Sequence, residues 1–474
     1  MSSLLIKNGT LVTAAETFQA DILVEGEKIA QIGPSLAEPL GAQVVDASGK
    51  LVMPGGVDVH THFDLPMAGT VSADDHYTGH KAAAFGGTTT VIDFVPQDAS
   101  PLLANVEAWR AKADPKAAID FGFHMNITHF DAQVAEEIGQ LPGAGITSVK
   151  VFTAYNNRLR ISDGDIFKVM RLARQHGLLT LVHAENGDVI ETMIADALAT
   201  GRTSPEWHAL TRPAWGAVEA TLRSAALSAQ AEAPVYIVHM NAGGEVDQLA
   251  YARARGVPVM GETCPQYLFF TVDDLRRPDG AKWICSPPMR SAADNARLWE
   301  GIANGTLQVV ATDHCSFFYN GQKPIMYEGK PVAIPGKELG DDNFTLVPNG
   351  LPGVGDRMPI LWTYGVGAGK ISANQFVALN CTNPARIFGM YPRKGTLMPG
   401  ADADIVIWDP QRRLKYGVAH AQHRTDYNLY EGWELVGYPE RVFLRGNLLV
   451  ENETWFGKPG IGRFIHRKPF GDIL

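Results

Sequence analysis

Two histidines one residue apart, His60 and His62, sit near the end of segment 54–64. In an extended strand, residues two apart face the same side. Both imidazoles can then reach one point at the strand's end, as two ligands of one metal ion must. Val57 and Val59 lead into them, the pattern of a buried strand running out into a polar site. Such a pair also arises on wet surfaces, so its meaning depends on partners downstream.

Four candidate partners follow, each closing or interrupting an apolar run. Lys150 lies inside run 146–152, His183 closes 179–183, His239 closes 235–239 and Asp313 closes 309–313. Singly, each has a plain structural reading. His183 or His239 could be a hydrogen-bonded core histidine, Asp313 a helix cap, and Lys150 a snorkelling surface lysine. Together with the first pair they form a set of four imidazoles and a carboxylate. That donor set suits zinc, with manganese, cobalt or iron as alternatives. Lys150 is the odd member: an ammonium repels cations, but a desolvated lysine has a lowered pKa.

These residues must be carried to one rim, and the pattern of elements says how. Residues 1–54 read as short strands, with hairpin signals at Asn8-Gly9 and Glu25-Gly26. After Pro54, short apolar runs alternate with helix-length amphipathic stretches. The runs fall at 57–63, 89–94, 119–125, 146–152, 179–184, 235–240, 258–262 and 308–313, with helices such as 163–176, 216–232, 245–255 and 291–304 between them. Eight βα units predict an α/β fold, a (β/α)8 TIM-like barrel over 55–390, with its chemistry at the C-terminal ends of the strands. A last helix, 373–390, closes it. Strand-like sequence resumes at 394–397, 403–408, 440–445 and 447–450. The expectation is a small β-sandwich domain built from both chain termini, 1–54 and 391–457. The tail, 458–474, is basic and aromatic and is expected to contact a neighbouring subunit.

At 474 residues the chain exceeds the size at which single cores stop growing, which suits one large domain and one small. With 45% hydrophobic and 19% charged residues it reads as an ordinary globular protein. A formal net charge of -10 and a pI near 5.8 argue against nucleic-acid and anionic-membrane partners. The four cysteines, Cys264, Cys285, Cys315 and Cys381, form no C-x-x-C pair, so neither a disulfide framework nor a thiolate zinc site is expected. They fit a reduced, cytoplasmic setting. No signal peptide and no bilayer-spanning stretch is read.

Further motifs sharpen the reading. They include Pro54-Gly-Gly-Val-Asp-Val-His-Thr-His-Phe-Asp-Leu-Pro66, Ser148-Val-Lys-Val-Phe152, His183-Ala-Glu-Asn186 and Glu262-Thr-Cys-Pro-Gln-Tyr-Leu268. Others are Cys285-Ser-Pro-Pro-Met-Arg290, Ala311-Thr-Asp-His-Cys-Ser316, Val347-Pro-Asn-Gly-Leu-Pro352 and Asp426-Tyr-Asn-Leu-Tyr-Glu-Gly-Trp433. In this order they resemble the dihydropyrimidinase/D-hydantoinase family of the binuclear amidohydrolase superfamily, over nearly the whole chain.

The resemblance implies two divalent ions, most simply zinc. His60, His62 and Asp313 would hold one and His183 and His239 the other, bridged by Lys150 as N6-carboxylysine, a carbamate formed with carbon dioxide. It implies Tyr155 as a donor to the developing oxyanion, main-chain contacts from Ser286 and Asn349 to a cyclic amide, and a substrate gate of Leu65, Phe152 and Leu159. It implies hydrolytic ring opening of 5,6-dihydropyrimidines or 5-substituted hydantoins to N-carbamoyl amino acids by a metal-bridging hydroxide. Asp313 would shuttle the proton. A homotetramer is implied as well.

Two features depart from the family pattern: an insertion at 324–335, and Leu159 where an aromatic is expected. Allantoinase and a non-catalytic dihydropyrimidinase-related scaffold are the alternatives. Dihydroorotate is disfavoured because Asp64 stands where an arginine would grip its carboxylate.

Overall fold

The chain, as a computed structural model, is described over residues 3–327 and 329–470; residues 1–2, 328 and 471–474, including the end of the expected tail, lie outside that description. The apolar runs form eight parallel strands: Gly56–Thr61, Thr88–Val95, Asp120–Asn126, Ser148–Phe152, Leu179–His183, Val235–Ile237, Val259–Thr263 and Val309–Val310. Each pairs with the next in chain order. Strands buried on both faces need apolar side chains at nearly every position, which is why they read as continuous runs rather than alternating ones.

Closure between the eighth strand and the first uses few ladder bonds. Thr61 bridges His314, and His62 N–H donates to His314 O at 2.7 Å. Arg357, fully buried, donates to Val57 O at 3.0 Å and Val310 O at 2.9 Å. One guanidinium thus ties the two edge strands together.

The expected helices appear close to their predicted limits, as Asp163–Gln175, Ala214–Ala231, Gly243–Arg253 and Ala292–Ala303. Ser162 and Ser291 cap two of them by accepting from Asp165 N and Asp294 N. The last expected helix is not uniform. Ala373–Val377 passes through a wide π-turn, Ala378–Thr382, before Asn383–Ile387. There Asn383 N–H reaches back to Ala378 O, just ahead of Pro384, which has no N–H to continue an α pattern. Among the described residues no helix is long and apolar enough to cross a membrane.

As expected, both chain ends build one small β domain, whose strands form a nine-stranded sheet. Leu51–Pro54 pairs antiparallel with Ile405–Lys415 and joins N-terminal strands to C-terminal strands. Leu11, Ile22, Val52, Ile405 and Phe443 share its core.

Two local expectations are corrected. Asn8-Gly9 makes no hairpin turn but a bulge inside the continuous strand Ser3–Val12. Asn8, at φ 61°, donates to Asp46, while a Cβ on Gly9 would lie 2.5 Å from Val52 Cγ2, so the glycine permits close approach. Residues 394–397 are not a strand. Lys394 is instead a buried hub, 2.6 Å from Asp120, 2.7 Å from Asp404 and 3.0 Å from Asp402.

That hub joins barrel to sheet, since Asp120 opens the third barrel strand and Asp404 precedes Ile405–Lys415. Thr89 adds a hydrogen bond to Asp404 at 3.0 Å, and Arg445 pairs with Asp120. The described part of the tail is bound to this chain's own barrel: Phe464 bridges Phe121, and Ile465 N–H donates to Phe121 O at 2.7 Å.

The 324–335 insertion is a hairpin pairing Ile325–Tyr327 with Lys330–Val332. Pro335 O at its end accepts from Thr70 Oγ1 at 2.5 Å. The insertion therefore touches the loop that follows the first barrel strand.

Lys394→Met removes the only cation of the hub that touches all three aspartates. We expect a loss of about 3–5 kcal/mol of stability, the usual result of leaving buried charges unpaired. Denaturant unfolding measures it; a change below about 1 kcal/mol would deny the hub its role.

Candidate metal centre

His60 is the fifth residue of the first barrel strand and is completely buried. His62 lies one residue beyond that strand, on the same side. Lys150 is central in the fourth strand and His183 ends the fifth. The sixth and eighth strands stop earlier than their apolar runs suggest, at Ile237 and Val310. His239 and Asp313 follow on turns with positive φ, 42° and 52°. L-residues resist that conformation, so both side chains are held off the strand direction by their surroundings.

These turns bring the six side chains together. Asp313 Oδ1 stands 3.0 Å from His60 Nε2 and 3.2 Å from His62 Nε2. Lys150 Nζ is 3.3 Å from His60 Nε2. His183 Nδ1 faces His239 Nε2 at 2.9 Å, and the rings of His60 and His239 are 5.3 Å apart. Phe94 lines the floor, with Lys150 Nζ 4.2 Å from its ring centre. His60, His62 and Asp313 present three ligand atoms within 4.8 Å of one another.

Electrostatics of the pocket suit cation binding. Burial holds His62 down to about 4, and burial also lowers His183 and His239. All three are therefore neutral imidazoles with a lone pair to offer. Burial opposes ionisation of Asp313, yet His60 and hydrogen bonds from His60 and His62 outweigh it and keep the carboxyl well below its ordinary range. Burial and Lys150 disfavour a charged His60, but Asp313 and Glu262 together hold its pKa above the usual value. That pair attracts positive charge. Burial lowers Lys150 to about 8, so a free amine is accessible near neutrality.

Sequence reading passed over the groups that aim these ligands. Glu262, at 0% exposure, lies 2.5 Å from His60 Nδ1 and accepts from His239 N–H at 3.1 Å and Tyr236 OH at 2.9 Å. It leaves His60 Nε2 turned to the pocket. Glu185 stands 2.9 Å from His183 Nε2 and leaves Nδ1 facing His239. Asp58 accepts from Thr312 Oγ1 at 2.7 Å beside Asp313. A signal existed for two of these. Asp58 alternates with His60 and His62, and Glu185 lies two residues after His183. Glu262 only closed an apolar run.

The remaining expected site residues lie around this core. Tyr155, at φ 66°, has its ring 4.9 Å from that of His183. Burial raises its pKa, which keeps the phenol a proton donor. Asn349 Nδ2 donates to Ser286 Oγ at 3.1 Å. The main-chain carbonyl of Ser286 and the N–H of Asn349 have no partner among the described residues. Phe152 is buried, 6.3 Å from Tyr155 between ring centres. Leu65 and Leu159 are half-buried. Asp64 carries no free charge: Lys116 sits 3.1 Å away. Repulsion of an anionic substrate from that position is therefore weaker than the sequence suggests.

A model of the amidohydrolase family matches residues 51–449. A D-hydantoinase of Geobacillus stearothermophilus is 43% identical over 474 residues, covering 99% of this chain and 98% of that protein. A D-hydantoinase of Streptomyces coelicolor is 42% identical over 473 residues, 98% of each. Among solved structures, a dihydropyrimidinase from Brevibacillus agri superposes with a TM-score of 0.95 at 44% identity, covering 99% of both chains.

Glu262→Gln keeps the shape and removes the charge that orders His60 and His239. We expect metal affinity to fall 10–100-fold, the usual loss for such a support, with the fold intact by circular dichroism. Competition against a chromophoric chelator reads it, and undiminished affinity would take the orienting role from Glu262.

Proposed function

The chain belongs to the amidohydrolase family, as a hydrolase that opens cyclic amides, and on that premise we propose the chemistry of its site. The carrying observation is the meeting of four imidazoles, Asp313 and Lys150 at one mouth of the barrel. The family implies a binuclear divalent metal centre, and this donor set fits one. We assign His60, His62 and Asp313 to one ion and His183 and His239 to the other, with zinc as the metal. Lys150 Nζ would add to the carbon of carbon dioxide, losing a proton, and the resulting carbamate would supply oxygens to both ions.

When bound, such ions acidify water and polarise a carbonyl. The chain's own groups do the rest. Asp313, an ionised carboxylate at the pocket's centre, takes a proton at Oδ and delivers it to the departing ring nitrogen. Tyr155 keeps its phenolic proton and donates a hydrogen bond through it to the carbonyl oxygen as that oxygen gains charge. The unpartnered Ser286 carbonyl accepts from a ring N–H, and the Asn349 N–H donates to a ring carbonyl. A cyclic amide or imide offers both groups on one edge. Phe152, Leu65 and Leu159 gate the exocyclic substituent, and a leucine at 159 leaves more room than an aromatic would.

This supports ring opening of 5,6-dihydropyrimidines or 5-substituted hydantoins to N-carbamoyl amino acids. A panel of dihydrouracil, dihydrothymine, 5-phenylhydantoin, allantoin and dihydroorotate, read as kcat/KM on zinc-loaded protein, tests it. We expect the hydantoin or the dihydropyrimidines to lead by at least tenfold. Preference for allantoin or dihydroorotate, or no turnover of any, would overturn the reading.

Lys150→Ala should lose the bound ions and fall in rate by at least 100-fold. Short-chain carboxylic acids should restore part of both, by replacing the missing carbamate. Full metal content and rate in this variant without an additive would remove the bridging role.

A further inference from the structure

Lys337 lies two residues past the end of the 324–335 insertion and is wholly buried, at 0% exposure. No carboxylate pairs with it among the described residues. Its ammonium donates instead to two main-chain carbonyls, Ile284 O at 2.9 Å and Pro348 O at 3.3 Å. Burial pulls its pKa down to about 7. A buried cation without a counter-ion is destabilising on its own account, so its contacts point to a task beyond filling space.

Those two carbonyls belong to the two loops that carry Ser286 and Asn349. Gly350 N–H also donates to Ile284 O, at 3.2 Å, so the loops meet at this one oxygen. The neighbouring carbonyls are all engaged. Cys285 O takes His208 Nε2 at 2.8 Å, Pro287 O takes Tyr267 OH at 2.7 Å, and Pro288 O takes Asn241 Nδ2 at 2.7 Å. Ser286 O is the exception. Within 284–288, then, each main-chain carbonyl but that of Ser286 is held by a donor.

The chain beside Lys337 is equally constrained. A Cβ on Gly336 would lie 2.2 Å from Phe318 O, and one on Gly350 2.3 Å from Cys315 O. Lys337 N–H donates to Phe318 O at 2.8 Å. The lysine's stem is thus anchored to the segment that follows Asp313, while its head reaches both substrate loops.

We propose that Lys337 is a positioning residue for substrate: its ammonium clamps the 284–288 and 347–351 loops so that Ser286 O and Asn349 N–H stand at the spacing of a cyclic amide edge. It touches neither substrate nor metal ligand. This inference rests on the main-chain recognition proposed above. It predicts a defect in binding the ring, with the chemical step largely spared.

The test uses zinc-loaded full-length protein with hydantoin as substrate and 1,3-dimethylhydantoin, which has no ring N–H, as competitive ligand. In Lys337→Met and Lys337→Gln we expect KM for hydantoin to rise at least tenfold. Turnover should stay within threefold of wild type and metal content should be equal. Wild type should bind the dimethyl compound at least tenfold more weakly than hydantoin, and both variants should lose most of that discrimination. If wild type does not discriminate, the main-chain reading itself fails. If wild type discriminates and both variants keep its KM, only the clamp fails. A fall in turnover at unchanged KM, or failure of both variants to fold, assigns Lys337 to other work and overturns the proposal.

Discussion

One buried carboxylate organises the centre. Glu262 gathers the ring nitrogen of His60, the main-chain N–H of His239 and the hydroxyl of Tyr236. It thereby couples the first, sixth and seventh barrel strands at the level where the ligands emerge. An imidazole can bind a metal through either nitrogen, and only the group on its far side decides which. Without Glu262, His60 could turn its other nitrogen inward, and the left-handed turn at His239 would lose an anchor. The donor set depends on that single acceptor more than on any contact between the ligands themselves.

A second constraint is that the pocket gathers charge inside a low-dielectric core. Lys150 is buried with no carboxylate partner among the described residues, and Asp313, mostly shielded, has only the His60 and His62 imidazoles beside it. The fold tolerates them because the imidazoles around Asp313 donate to it and because Lys150 has partly given up its charge. His239, Asp313 and Tyr155, all at the same rim, adopt positive φ. Residues other than glycine resist that conformation, so the surrounding contacts must hold it.

The rest of the molecule holds this rim in shape. Arg357 seals the barrel between its first and eighth strands, where the ladder is thin. Lys394 with its three aspartates locks the barrel to the sheet made by the chain ends. Lys337 works in the same way near the substrate loops, as a cation among carbonyls. In each case a long basic side chain adds a tie between segments that few backbone hydrogen bonds join.

How much of this was legible beforehand depends on the range over which each feature is decided. Runs such as 179–183 announced themselves because a strand covered on both faces must be apolar throughout. Helix limits were legible from the amphipathic pattern, and caps such as Ser162 and Ser291 fix them in the fold. Asn8-Gly9 misled because the same dipeptide serves a turn or a bulge, and the side chains of Asp46 and Val52, distant in sequence, select the bulge. Lys394 hid among strand-like neighbours because its three partners are spread over 284 positions of sequence, Asp120 to Asp404. The amino-acid order by itself determined the eight-fold alternation, the six polar residues placed at or near strand ends and the kind of chemistry their donor types suit. These follow from local periodicity and from the donor types each residue carries. Only the tertiary structure decided which nitrogen each histidine presents, which loops Lys337 joins, and where buried charges find partners. Those are contacts between segments far apart in the chain, and nothing local encodes them.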